Sequence, residues 1–307
     1  MTPNGWIILD KPLGLGSTQA VAAVKRNLRE AGYGKSVKVG HGGTLDPLAT
    51  GVLPIAVGEA TKLCGRMLDA SKAYAFTVRF GAETDTLDLE GKVIATSEVL
   101  PTLDEVKAGL AQFTGQIEQV PPAYSALMVD GERAYDLARK GEVVELKSRA
   151  VTVYRLDLLP GGVAVDEVTL LAHVSKGTYI RSLARDIARA LGTVGHVTML
   201  RRLKAGPFTE AQAISLDKLN EIGKGPRPAE VLSQALLPLE SGLVDIPVLD
   251  LSPEQARAVR QGRVLTGVPF PDGLCWTRAG ETPIALAELS GGDLKVVRGF
   301  NLPDVAE

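Results

Sequence analysis

The chain has 307 residues, 45% hydrophobic and 23% charged, with a formal net charge of −2. That composition supports a folded core and excludes a disordered or low-complexity chain, and no long apolar run or charged-then-apolar leader suggests a membrane span or secretion. Two cysteines, Cys64 and Cys275, stand far apart without Cys or His at ligand spacing, so buried thiols are expected, not a disulfide framework or zinc site, and the expected location is cytoplasmic.

Residues 6–9 read as a short strand. A Pro- and Gly-containing loop leads to Ser17-Thr18, which cap a helix over about 19–31 ended by Gly32. Gly14-Leu15-Gly16-Ser17-Thr18 lacks the second Gly-Lys of a phosphate-binding loop, so no nucleotide site is expected there. Strict alternation over 74–80 predicts a half-buried strand opened by Tyr74 on its apolar face, and 151–159 and 168–174 are two more strands. A helix over about 179–191, capped by Gly192, places Arg181, Arg185 and Arg189 on one face, with Ile180, Leu183, Ala184 and Ile187 as its buried stripe. The stretch 116–149 is less regular. Residues 223–228 are a loop, and short apolar runs from about Asp245 predict a small β domain in which Arg257, Arg260 and Arg263 form a basic stripe on a helix.

Charge is unevenly spread. From His173 to Gly206 seven basic residues stand against Asp186 alone, and from Glu83 to Glu105 seven acids stand against Lys92. Such a split predicts one basic face for a polyphosphate on a chain otherwise acidic.

The most chemical stretch is Gly40-His41-Gly42-Gly43-Thr44-Leu45-Asp46-Pro47, one carboxylate among residues that turn the backbone sharply. It continues through Gly51, Pro54 and Gly58-Glu59-Ala60-Thr61-Lys62 with no other charge before Glu59, which is unlike an ordinary Asx-turn. The run resembles the signature of the bacterial TruB-type tRNA pseudouridine synthases, which isomerise uridine 55 of the TΨC loop. Further matches are Leu9-Asp10-Lys11-Pro12, Lys72-Ala73-Tyr74, Thr84-Asp85-Thr86 with Asp88 and Gly91, residues 121–127, Ser175 to Arg181, His196 and Leu200-Arg201-Arg202-Leu203. The resemblance covers about residues 5–215.

It implies an α+β fold with a mixed, mainly antiparallel central sheet flanked by helices. A catalytic domain over 1–242, with a thumb insertion at about 116–149, would be followed by a PUA-like RNA-binding domain over 243–307. It implies that Asp46 is the catalytic carboxylate, attacking C1′ or C6 or assisting elimination; these alternatives stay open. A buried carboxylate needs a cation to stay charged, and the resemblance makes Arg181 that partner through its planar fork. Tyr74 would stack on the flipped base and help remove the C5 proton, while His41 would enter the position the base vacates. Tyr179 and the backbone at Leu200 would border the uracil, Lys11 would support the loop or the RNA backbone, and Lys176, Arg185, Arg201 and Arg202 would meet phosphates. No metal, nucleotide or redox cofactor, protein partner or guide RNA is implied; the partner is tRNA. Gly42 and Glu83 depart from the family pattern. The rival reading is a non-catalytic tRNA-binding or tRNA-folding protein on the same fold.

Overall fold

The apolar run near the start becomes an interior strand. Gly5–Lys11 (β1) is buried almost throughout, as is its antiparallel neighbour Ala49–Val57 (β2). The computed structural model, which describes residues 2–129, 131–142, 144–160 and 166–303, builds these into a ten-stranded sheet. Its other main strands are Lys72–Phe80 (β3), Gly115–Gln119 (β4), Arg149–Leu158 (β5), Glu167–Val174 (β6), Gly195–Ala205 (β7) and Ile214–Ser215 (β8). The order is β8-β1-β2-β7-β3-β6-β5-β4, with Val39–His41 beside β2 and Phe208–Thr209 beside β7. Pairing is parallel at β8·β1 and β2·β7 and antiparallel at the other joints, so the sheet is mixed and mainly antiparallel.

Ser17–Glu30 (α1) starts two residues earlier than its pattern suggests. Its N-cap is Gly16, because the Ser17 hydroxyl is turned instead toward Leu45. Leu103–Leu110 (α2) carries a Thr102/Glu105 capping box, and Ile180–Ala190 (α3) follows Tyr179 at its N-cap and ends before Gly192 at φ 75°. Leu216–Lys224 (α4) and Pro228–Ala235 (α5) complete this part.

Helices α1, α4 and α5 bury Val24, Leu28, Leu219 and Leu232 against one end of the sheet, whereas α2 and α3 bury Val106, Leu183 and Ile187 against the other. Tyr74 and Leu200 pack against both clusters, so the cleft opens between two separately packed halves. Strand β4 is an edge of the sheet, so the irregular segment begins after Gln119, later than the sequence suggests. It contains the pairing of Met128–Val129 with Glu132–Arg133 and the helix Ala134–Arg139; its Asp130 and Val143 lie outside the described residues.

The C-terminal part forms a second sheet from Val248–Asp250 (β9), Gly273–Ala279 (β10), Thr282–Ser290 (β11) and Asp293–Gly299 (β12), in that order. Helix Pro253–Arg260 (α6) covers it, and Arg263 falls beyond that helix because the chain turns at Gly262, so the expected three-arginine stripe is not helical throughout. Residues 304–307 of the expected domain lie outside the described residues. Its Leu286 and Phe300 share a core with Trp6, Ile8 and Phe208, which fixes the small domain to the back of β1.

The parallel joint β2·β7 depends on Gly51. At φ 100°, a Cβ there would lie 2.2 Å from the Arg202 carbonyl oxygen. Gly51→Ala is expected to lower stability by more than about 2 kcal/mol in urea unfolding. Gly65→Ala, where a Cβ meets nothing within 4 Å, should leave the midpoint unchanged or raise it.

Candidate active site

The loop from Gly42 to Leu48 carries Asp46 between Val39–His41 and β2, without a ladder for most of its carbonyls. Buried cations take their place. Arg202, 1% exposed, donates from Nε to the Val52 carbonyl at 2.7 Å, and from its two terminal nitrogens to Thr44 at 3.2 Å and Gly43 at 3.0 Å. Lys11, fully buried, donates to the carbonyls of Pro12, Leu15 and Pro47 at 3.0, 2.6 and 3.2 Å. The Ser17 hydroxyl accepts from Leu45 N at 2.8 Å and donates to Leu45 O at 2.9 Å. Gly42 donates to Pro54 O at 2.8 Å where a Cβ would meet Met67 Cβ at 2.6 Å, so packing in this chain requires glycine there.

One expectation is thereby corrected. Arg202 does not reach an RNA phosphate, because its guanidinium is spent on loop carbonyls beneath the cleft. Of the two supports expected of Lys11, the loop or the RNA backbone, its contacts are with the loop, since three carbonyls enclose its ammonium.

Asp46 Oδ2 lies 3.0 Å from an Arg181 terminal nitrogen; the arginine side chain is 6% exposed and the aspartate 39%. The carboxylate is therefore not buried as expected, since it stands where two cavities meet. Nor is the contact a two-bond fork. The second terminal nitrogen of Arg181 donates to Thr86 O at 2.7 Å and lies 3.6 Å from Asp88 Oδ2, and the first also donates to Tyr124 O at 2.9 Å. One guanidinium thus spans two carboxylates. Asp88, to which the sequence assigned no role, accepts from Thr86 Oγ1 at 2.6 Å and Glu90 N at 3.0 Å, beside Leu87 at φ 64°. A non-glycine residue at positive φ is strained backbone held by its surroundings.

A cavity of about 290 Å³ is lined by Tyr74, Tyr179, Leu200 and Lys72. A second, of about 480 Å³, is lined by His41, Asp88, Tyr124, Arg133 and Tyr135. Asp46, Arg181 and Ser125 line both. Tyr179 is aimed by Gln119 at the end of β4, whose amide accepts from Tyr179 N at 2.8 Å and donates to Tyr179 O at 3.2 Å. Arg149 lies over the Tyr179 ring at 5.3 Å. His41 accepts from Gly43 N through Nδ1 at 3.4 Å, and burial, with Arg202 nearby, lowers its pKa, so the ring is neutral near pH 7.

Much of the basic segment expected to face a polyphosphate is ion-paired among the described residues. Arg189 pairs with Glu83 at 2.8 Å, Arg185 with Asp186 at 2.8 Å, and Arg201 with Asp10 at 3.0 Å and Glu210 at 2.6 Å. Lys176 meets Asp69 at 2.9 Å with both side chains exposed. The acidic and basic segments of the sequence partly neutralise each other through Glu83–Arg189 and Asp88–Arg181, which gives Glu83 a partner within the chain.

Models of the TruB family of pseudouridylate synthases match residues 29–180 for the N-terminal domain and 181–244 for the tRNA pseudouridylate synthase B C-terminal domain. A tRNA pseudouridine synthase B from Novosphingobium aromaticivorans is 74% identical, with 99% of each chain covered. The chain belongs to the TruB family. Another relative of that name, from Zymomonas mobilis, is 56% identical over 97% of this chain and 96% of its own. Among solved structures, a chain of a Cbf5-Nop10-Gar1 complex superposes with a TM-score of 0.74 at 27% identity, covering 97% of this chain and 85% of that one. A chain of an H/ACA RNP bound to a substrate RNA containing 2'-deoxyuridine gives 0.73 at 26%, with the same coverages. This TruB-family chain is thus a pseudouridine synthase, an isomerase, built on the fold of that family. Among the described residues no group of His, Cys, Asp and Glu is set to hold a metal ion, and no helix is long and apolar enough to cross a membrane.

Lys72, missed by the sequence as a site residue, is a second buried ammonium enclosed by carbonyls, those of Met67, Leu68 and Ala70. Burial pulls Lys11 and Lys72 from their ordinary 10.5 down to about 8; Asp46 partly opposes this at Lys11, and Arg202 adds to it at both. As pH rises through about 8, each ammonium loses a donor that a carbonyl was using, so turnover is expected to fall on an alkaline limb with apparent pKa about 8. Stability moves oppositely. Between about 8 and 10.5 the unfolded chain holds more protons, so these two groups add stability as pH rises. A kcat–pH profile taken beside denaturation midpoints checks this, since general unfolding would lower both together.

Proposed function

We propose that this enzyme converts uridine 55 in the TΨC loop of tRNA to pseudouridine, with Asp46 acting on the target nucleotide. The observation that carries the reading is the Asp46 carboxylate, fixed 3.0 Å from a buried guanidinium at the meeting of two cavities. Relatives named tRNA pseudouridine synthase B, similar over nearly their whole length, support tRNA as the substrate. The cytoplasm is the expected place of action.

The reaction breaks the bond from ribose C1′ to N1, turns the uracil, and joins C5 to C1′, with no net oxidation or loss. The uracil would occupy the smaller cavity, where Tyr74, Tyr179 and Leu200 supply flat and apolar walls. Asp46 then stands beside the sugar, as a nucleophile at C1′ or C6 or as the group that assists elimination. Arg181 supplies the opposing positive charge, and Asp88 fixes the guanidinium from its far side. The base must leave its helical stack, which costs a few kcal/mol, and neutral His41 in the larger cavity would fill the position it leaves. The Tyr74 hydroxyl would help take the C5 proton at the end. Lys176 and Arg185 remain the proposed phosphate contacts, and the β9–β12 domain a further RNA contact. No metal, cofactor, protein partner or guide RNA enters this scheme. A non-catalytic tRNA-binding protein is disfavoured, because an aspartate at the cleft costs affinity for a polyanion and a pure binder has no use for it.

The test uses the purified protein alone with an unmodified tRNA transcript carrying C5-tritiated uridine, reading tritium release and then the modified position. Asp46→Asn is expected to bind this transcript and to turn over at less than a tenth of the wild-type rate. Greater residual multiple-turnover activity removes Asp46 from the chemistry.

Tyr74→Phe should keep affinity and block tritium release, whereas Tyr74→Leu should weaken both, because stacking on an aromatic ring contributes about 1–3 kcal/mol per base. Normal tritium release by the Phe variant would show that the hydroxyl moves no proton.

A further inference from the structure

Three buried side-chain polar atoms have no hydrogen-bond partner among the described residues: Asn27 Oδ1, Arg66 Nε and Ser125 Oγ. Only Ser125 of these residues lines either cavity at Asp46, and it lines both. The residue is 4% exposed. Its backbone is fixed on each side: Ser125 N donates to Ala123 O at 3.0 Å, Tyr135 N donates to Ser125 O at 2.9 Å, and the preceding Tyr124 carbonyl accepts from Arg181 at 2.9 Å. A hydroxyl so placed, able to donate and accept, is held unfavourably until a ligand engages it.

We propose that Ser125 is a substrate-contacting residue whose hydroxyl bonds a sugar–phosphate oxygen of the RNA beside the target uracil. The inference rests on the reading of Asp46 as the reacting group. The chemistry of the ligand follows from the site's shape. Thr44, Leu45, Asp46, Ser125, Ala126 and Arg181 line both cavities, and they form the rim between them. A base enters a cavity, but the sugar–phosphate strand must cross the rim, so a rim hydroxyl meets backbone oxygen. During the reaction the base turns while the ribose must stay in place. A contact from Ser125 to the backbone holds the fixed partner of that rearrangement.

The test is Ser125→Ala in the full chain, with kcat/KM measured on a stem-loop RNA and unfolding measured in urea. The expected loss in kcat/KM is about tenfold, the worth of one hydrogen bond. The unfolding midpoint should stay unchanged or rise, because no partner within the protein is lost. Two modified RNAs identify the oxygen: one with 2′-deoxyribose at the target, one with methylphosphonate in the flanking linkages. Whichever modification removes the Ser125 partner should impair the wild type and cause no further loss in Ser125→Ala. Fully additive losses with both RNAs overturn the proposal, as does a lowered unfolding midpoint, which marks a structural role. Wild-type kinetics in Ser125→Ala beside an inactive Asp46→Asn overturn this proposal alone, whereas an active Asp46→Asn overturns the reading on which it rests.

Discussion

Everything at the cleft depends on how an irregular loop is held without a hydrogen-bonded ladder. Buried carbonyls left unpaired would each cost free energy comparable to a lost hydrogen bond. Here Lys11 of β1 and Arg202 of β7 supply the donors, reaching Pro47 on one side of Asp46 and Gly43 and Thr44 on the other. Neither Lys11 nor Arg202 is in a side-chain ion pair among the described residues; each is solvated by main chain instead. The two cations come from strands on either side of β2, so the loop inherits its geometry from the register of the sheet. Gly51 is part of the same constraint, since only a residue without Cβ lets Arg202 pass close enough to reach under the loop.

The sheet is continuous across the cleft, but its cores are not. One half is covered by α1, α4 and α5 and the other by α2 and α3, and Tyr74 and Leu200 join them at the boundary. A boundary between two packed halves gives side chains that are firmly backed yet open on one side. Asp46 arrives from the first half and Arg181 from the start of α3 in the second. Their 3.0 Å contact is therefore also a bond between halves, and Asp88 completes it from the acidic segment that packs against β7.

Local features of this arrangement were legible in the sequence. Alternation located β3, β5 and β6, the 3.6-residue stripe located α3 and its buried face, and the Gly-rich run singled out Asp46. What the sequence concealed is long-range. Arginines at i, i+4 and i+8 share a helix face, but nothing local says that Arg181 is buried against Asp46 and Asp88 while Arg189 pairs with Glu83, 106 positions away. Arg201 and Arg202 are adjacent in a strand and so point to opposite faces, one to Asp10 and Glu210, the other beneath the loop. Asp88 stood in a matched motif without a role because its meaning lies in Arg181, and Gln119 was hidden because 116–119 reads as part of an irregular stretch.

The small C-terminal sheet bears on the cleft through packing as well as through any RNA contact. Trp6, whose indole donates to Leu239 O at 3.0 Å, sits in one core with Phe208, Leu286 and Phe300. On β1 it alternates with Ile7 and Leu9, which face α1 and its neighbours. The same strand is thus clamped from both sides and ends at Lys11, the residue that ties down the Asp46 loop. Removing the C-terminal part would uncover the apolar back of β1 and loosen the strand that carries Lys11. Lost turnover in such a truncation would therefore not by itself report a lost RNA contact; charge reversal at exposed arginines of α6, which leaves this core intact, separates the two.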